Sequence, residues 1–373
     1  MPLSLSHLLE KQHVSEAASP MAGLLDGLRG HTLVIPDIES LSPRWAMKVN
    51  PYLTSVRAEY NEWVRLWFKE ERIRNKIAAM DADRFAAMAF PRTGRQEVLN
   101  VSKFIAWFFP WDDVIDDAAT EQEPADIARY RDDTIDVVRE CLLTDLEQPS
   151  KIHPDPAIQS FWDIGAAIRA SGTPESNQRV AYQQCLFIAS AAESQILRKS
   201  TGPMTVAQHL KWREDNIAVH ALMELIYYAN KTQIPSQWRW ENNAQMREMW
   251  KEIAWIVSNS NDLFSLRREL MHGQYENVVP LLMYHEGLAP QAAVDKTAEM
   301  IHESYERFYQ LEAKLYEAVD PAELENVKTY VHAFKDLVMC HLHWSYGLKR
   351  YMDPHMVQKA GKIVFDIQTP VAM

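Results

Sequence analysis

Glycine is scarce in this chain, 11 of 373 residues, well under the roughly 7% of ordinary usage. No Gly-rich loop of the P-loop or dinucleotide type is present, which excludes the common backbone cradles for phosphate. Any phosphate must be held by side chains and metal. Cations are also short: 39 Lys and Arg stand against 51 Asp and Glu, for a formal net charge of −12. That balance argues against a nucleic-acid binder, which needs clustered Lys and Arg on one surface. Cysteine is limited to Cys141, Cys185 and Cys340, scattered and without metal-site spacing, as expected of a reducing compartment. The thirteen His residues include no HxxxH pair on one helix, so zinc is not indicated. No apolar run approaches the ~18 residues of a membrane span. The opening Met1-Pro2-Leu3-Ser4 lacks the charged and apolar regions of a signal peptide. The expectation is a cytoplasmic protein without membrane insertion.

What the chain has in quantity is helical periodicity. Tyr52, Val56, Tyr60, Trp63, Val64 and Trp67 recur at three and four residues, one buried aromatic stripe. Phe104, Trp107, Phe108 and Trp111 lead straight into a run of aspartates, with Pro110 just before it as a candidate kink. Residues 122–147 read as an exposed charged helix. Helical pattern continues over 157–171, 176–199, 205–229, 244–272, 277–285, 290–319 and 321–350, with short breaks between. Alternating strand patterns are essentially absent. The fold class is therefore all-α, a helical bundle, with a loosely ordered leader over residues 1–30 and a single domain over 31–373.

Two short segments carry the chemistry. Asp112-Asp113-Val114-Ile115-Asp116-Asp117 and Asn261-Asp262-Leu263-Phe264-Ser265-Leu266-Arg267-Arg268-Glu269 both put hard oxygen ligands on a helix face, the chemistry that holds Mg²⁺ against a substrate phosphate. At ~100° per residue, Asn261, Ser265 and Glu269 fall at roughly 0°, 40° and 80°. Helical side chains lean toward the N-terminus, so Glu269 can reach back to an ion shared with Ser265 and Asn261. The first segment is ambiguous in register. Asp112 with Asp116 and Asp113 with Asp117 are both i,i+4 pairs, and geometry alone does not choose between them. An acidic cluster by itself is as readily a solvated helix end; the apolar run before this one argues for burial.

The pair of segments resembles the aspartate-rich DDxxD and the (N/D)DxxSxx(K/R)E signatures of class I terpene synthases, and both are complete here. Asn50-Pro51 with Trp63, Arg213, and Trp344 with Arg350-Tyr351 match further elements of the microbial enzymes, in the same order. The matched stretch runs from about Asn50 to Tyr351. The resemblance implies a class I terpenoid synthase bundle with the active site in its core. It further implies Asp112, Asp116, Asn261, Ser265 and Glu269 as ligands of Mg²⁺, three ions with Mn²⁺ as a substitute, and Arg213, Arg268, Arg350 and Tyr351 as the grip on diphosphate. Asp112 aligns as the principal aspartate and Asp117 falls outside the motif. The family usually follows the arginine with a small linker and a Gly at a helix break; here Asn216 and Ile217 stand at those places.

The implied activity is Mg²⁺-dependent ionisation of a prenyl diphosphate followed by carbocation cyclisation. The chain's resemblance to fungal sesquiterpene cyclases favours farnesyl diphosphate. Phe104, Phe108 and Trp344, each one or two turns from a motif residue, are candidates for the pocket wall. The rivals are a cyclase for a ten- or twenty-carbon substrate, a chain-elongating prenyltransferase, which normally carries a second DDxxD in place of the Asn261 segment, and a non-catalytic helical scaffold. The expected partner is a small prenyl diphosphate, with the protein a monomer or homodimer.

Overall fold

The computed structural model describes Leu28, residues 30–41, 45–121, 124–198, 203–271, Gln274 and residues 276–349, 351–352 and 356–367. Within these the side chains at 113, 116–121, 124, 193–198, 357 and 359 are outside the description. Except for Leu28 and Gly30, the leader expected over 1–30 also lies outside it.

Helices dominate the described residues, and five of them supply most of the site. α1 (Leu53–Trp67), α2 (Glu71–Ala79) and α3 (Ala82–Ala89) lead into α4 (Arg95–Glu121). α5 (Pro124–Leu143), the short α6 (Pro156–Gln159), α7 (Phe161–Ser171) and α8 (Pro174–Arg198) follow. Then come α9 (Val206–Asn216), α10 (Val219–Asn230), α11 (Ala244–Met271), α12 (Val278–Glu286), α13 (Pro290–Ala318) and α14 (Leu324–Gly347). α11 packs on α9, α13 and α14, while α4 packs on α1, α3, α8 and α10. The core between them is aromatic, with Trp107, Trp111, Phe104, Phe264 and Phe334 almost wholly buried. Among the described residues no helix is long and apolar enough to cross a membrane.

The anchors of the first helices come from the N-P and Trp positions. Asn50 donates from Nδ2 to the carbonyls of Phe90 and Thr93, 2.9 Å each, and accepts the N–H of Tyr52 at 2.9 Å. Trp63 and Trp67 both donate to Asp163 Oδ2, at 2.9 and 2.8 Å. These residues fix α1 against α3 and α7.

Helix α4 runs on through Pro110. Three expectations are corrected. α5 is not simply exposed: Ile127, Thr134, Val138 and Cys141 are buried beneath α7 and α8. The stretch read as one helix over 205–229 breaks at Ile217–Ala218, where Ala218 takes φ 61°, a left-handed conformation costly for a residue with a Cβ. And strands do exist. β1 (Thr32–Ile35), β2 (Val357–Lys359) and β3 (Lys362–Asp366) form an antiparallel sheet in the order β1-β3-β2, pairing Val34 with Val364 and Ile35 with Ile363. Ala360 and Gly361, φ 51° and 75°, make the tight turn between β2 and β3 that demands positive φ at both positions. Gln291 of α13 holds β1 from the side, through Val34 N at 2.9 Å and Val34 O at 2.8 Å.

Candidate active site

Along α4, Phe104, Phe108, Asp112 and Ile115 recur at helical spacing, and along α11 so do Val257, Asn261, Ser265 and Glu269. All eight line one cavity. On α11 the lining therefore changes from apolar to oxygen-bearing in the C-terminal direction, and on α4 Asp112 follows the two phenylalanines, with Ile115 beyond it. Trp212, Arg213 and Asn216 of α9, Val219 and Leu222 of α10, and Leu337, His341 and Trp344 of α14 complete much of the wall. The cavity encloses about 1480 Å³ of empty space, its open mouth included.

The polar end is built in two layers. Facing the cavity, Arg213 donates from Nη2 to Asn261 Oδ1 at 2.7 Å and from Nη1 to Asn216 Oδ1 at 2.9 Å. Its Nε is buried and without a partner among the described residues. Asn261 donates from Nδ2 to the Tyr351 hydroxyl at 3.2 Å, and Ser265 Oγ donates to the Asn261 carbonyl at 2.8 Å. Behind that layer, Asp262 collects His209 Nε2 at 2.8 Å, the Val278 N–H at 2.9 Å and Arg213 Nη2 at 3.1 Å. Burial alone would raise the Asp262 carboxyl. Arg213, His209 and the Val278 N–H outweigh it and hold the group below the usual carboxylate range. Asp262 is a buried hub that aims Arg213 and docks the N-terminus of α12, where the helix dipole favours a negative charge.

Glu269 sits in the opposite electrostatic situation. Burial and the Asp262 charge push its carboxyl up to about 7, against hydrogen bonds from Asn277 and Ser265. Asn277 donates to Glu269 Oε2 at 2.8 Å and to the Asp262 carbonyl at 2.6 Å, and its own Oδ1 caps α12 through Val279 N at 3.0 Å. A carboxyl raised by burial and a neighbouring anion is suited to a cation. Among the described residues no three His, Cys, Asp or Glu side chains gather as a metal-holding group. The donors on α11 are instead an amide, a hydroxyl and a carboxylate, hard oxygens suited to Mg²⁺ or Mn²⁺ rather than to zinc.

Seven of the expected site residues, Asp112, Arg213, Asn261, Ser265, Arg268, Glu269 and Tyr351, line this one cavity. The Asp116 side chain and Arg350 lie outside the described residues. Phe104, Phe108 and Trp344 also line it, joined by Phe85 and Phe109, which sequence reasoning did not select. Phe109 stacks on Trp344 with ring centroids 5.6 Å apart, and Phe85 meets the same ring edge-on at 5.1 Å. His209, Asn277 and the hub role of Asp262 were likewise missed. Only Asn277 left a signal, as an N-cap residue ahead of the apolar run that starts at Val278.

Residues 103–307 match the family described as terpene synthase family 2, C-terminal metal binding. Terpene cyclase braA of Annulohypoxylon truncatum is 28% identical over 349 residues, covering 92% of each chain. Sesquiterpene cyclase hepA of Aspergillus oryzae is 25% identical over 370 residues, covering 95% of this chain and 98% of its own. In fold, the crystal structure of germacradien-4-ol synthase from Streptomyces citricolor superposes with a TM-score of 0.71 at 16% identity, over 82% of this chain and 98% of that one. A helical bundle with an oxygen-lined cavity defines the class, and the chain belongs to the class I terpene synthase family, a metal-binding family of lyases.

Proposed function

We propose that this chain is a Mg²⁺-dependent sesquiterpene cyclase that ionises farnesyl diphosphate and cyclises the resulting carbocation. The observation that carries the reading is the graded cavity, aromatic along Phe104 and Phe108 and oxygen-bearing at Asp112, Asn261, Ser265 and Glu269. The fifteen-carbon substrate is supported by similarity to a named sesquiterpene cyclase over nearly the whole length of both chains.

Asp112, Asn261, Ser265 and Glu269 are proposed to hold Mg²⁺, with Asp116 beside them. The bound ions would neutralise the diphosphate and make it a leaving group. Arg213, Arg268, Arg350 and Tyr351 are proposed to take the departing charge; a guanidinium fork suits phosphate oxygens. The apolar wall excludes water, and the faces of Phe109 and Trp344 favour a cation in the pocket. Asp262 takes no part in the chemistry and keeps Arg213 aimed.

Incubation with farnesyl diphosphate and Mg²⁺, followed by gas chromatography and mass spectrometry of the extract, tests this reading. A fifteen-carbon cyclic hydrocarbon or alcohol is expected. Cyclic products from ten- or twenty-carbon diphosphates alone would replace the substrate assignment.

A further inference from the structure

Two cavities meet at one aromatic residue of α4. The first is the cavity described above. The second lies between α2, α4 and α6 and holds about 800 Å³ of empty space, its open mouth included. Phe68, Ile77, Met80 and Ala157 line this second pocket and are buried, whereas Glu70 and Arg72 line it and are exposed. It therefore has an apolar inner end and a charged end at solvent. Among the described residues Phe109 alone lines both spaces.

The helix accounts for this position. At ~100° per residue, Phe108, Asp112 and Ile115 stand at about −100°, −60° and −120° from Phe109, and Pro110 and Val114 at about +100° and +140°. The first three line the main cavity and the last two the second pocket, so Phe109 marks the boundary between two sides of α4. Its ring is held there by neighbours. It stacks on Trp344 with centroids 5.6 Å apart and meets Phe108 edge-on at 5.6 Å. Trp344 in turn donates its N–H to the Met80 carbonyl at 2.7 Å, which ties the stacked pair to a residue of the second pocket.

Ring closure joins the carbon that lost diphosphate to a double bond toward the other end of the chain. The substrate therefore doubles back, and its far end lies near the polar end of the cavity. Asp112 is three residues beyond Phe109, about 4.5 Å of helix rise. A longer chain folded in this way carries its extra carbons toward Phe109.

We propose that Phe109 sets the length of prenyl chain this protein accepts, closing the main cavity against the second pocket and so favouring a fifteen-carbon over a twenty-carbon diphosphate. The inference rests on the cyclase reading above. An apolar pocket selects on size because carbons that find no space cannot be buried without strain. Removing the ring joins the two spaces, and the apolar inner end of the second pocket then receives the extra isoprene unit.

The test compares the parent with Phe109→Ala and Phe109→Leu, each given farnesyl or geranylgeranyl diphosphate with Mg²⁺. Diphosphate release gives kcat/KM for each substrate, and mass spectrometry of the extract identifies cyclic products. The ratio of twenty- to fifteen-carbon kcat/KM is expected to rise on the order of tenfold in Phe109→Ala and less in Phe109→Leu, with cyclic twenty-carbon products. Two further variants locate the space. Phe108→Ala makes the same deletion on the main cavity alone and should raise the ratio less than Phe109→Ala. Adding Ile73→Trp to Phe109→Ala refills the second pocket, which Ile73 lines, and should return the ratio toward the parent's. An unchanged ratio in both Phe109 variants, an equal rise in Phe108→Ala, a rise that Ile73→Trp leaves in place, a parent that takes both substrates equally, or loss of the helical circular dichroism in both Phe109 variants would each overturn the proposal. Absence of diphosphate release from farnesyl diphosphate by the parent would fall on the cyclase reading itself.

Discussion

Arg213 on α9 reaches Asn261 on α11, Nη2 to Oδ1, at 2.7 Å. The contact ties a cationic position to the first oxygen of the α11 stripe. A divalent cation beside a guanidinium is repelled, so loading metal with diphosphate is expected to move Arg213 off Asn261 and onto the anion. Arg213→Lys keeps the charge and loses the fork. Inorganic diphosphate should then bind about tenfold more weakly in the presence of Mg²⁺, by roughly 1.4 kcal/mol, as read by calorimetry. Unchanged affinity would return Arg213 to the role of an ion-pair partner of Asp262.

The α11 stripe makes a stricter demand. Asn261, Ser265 and Glu269 are spaced by four residues and line the same cavity, so each substitution to Ala should remove an oxygen from one ion. A loss in kcat/KM on the order of 10², about 2.7 kcal/mol, is expected for each. The double and triple variants should lose little more, because the three act as a unit. Steady-state kinetics settle it, and near-normal turnover in Asn261→Ala would remove the stripe from the mechanism.

Away from the cavity, Glu224 is fully buried and paired with Arg179 at 2.8 Å, with the Trp240 N–H on its other oxygen at 3.3 Å. Burial pushes this carboxyl up to about 7, although Arg179 opposes the shift. Arg179→Met would strand the acid and should cost about 3 kcal/mol. The sign with pH follows from the raised value. A carboxyl whose folded pKa exceeds its unfolded value contributes stability below the unfolded value, and loses it as pH rises through the folded one. Denaturant melts should therefore show a larger deficit at pH 8 than at pH 5, and Glu224→Gln in the same chain should relieve it. An equal deficit at both values would contradict the assignment.

Much of this was legible in the chain. Apolar spacing marked nearly every long helix, because each buries a stripe on a 3.6-residue period. Both oxygen segments announced themselves by residue type and spacing. What escaped did so for physical reasons. The β1-β3-β2 sheet pairs residues more than three hundred positions apart through strands of three to five residues, too short for alternation to register. The break at Ala218 carries neither Gly nor Pro, so local propensity favours continuing the helix. His209 and Asn277 serve Asp262 and Glu269 from other helices, and no periodic pattern reports a contact across the bundle. The choice between Asp112 and Asp113 turned on alignment with a family; Asp112 lines the cavity, and the Asp113 side chain lies outside the described residues.

On the proposed function, the oxygen-lined cavity ionises a prenyl diphosphate with the help of divalent metal. The most direct measurement is inorganic diphosphate released from farnesyl diphosphate, with Mg²⁺ and again after exhaustive chelation, while circular dichroism follows the helices. Release is expected with Mg²⁺, to be lost on chelation with the helical signal intact and to recover when Mg²⁺ is restored. Release that persists at full rate in the chelated protein would contradict it.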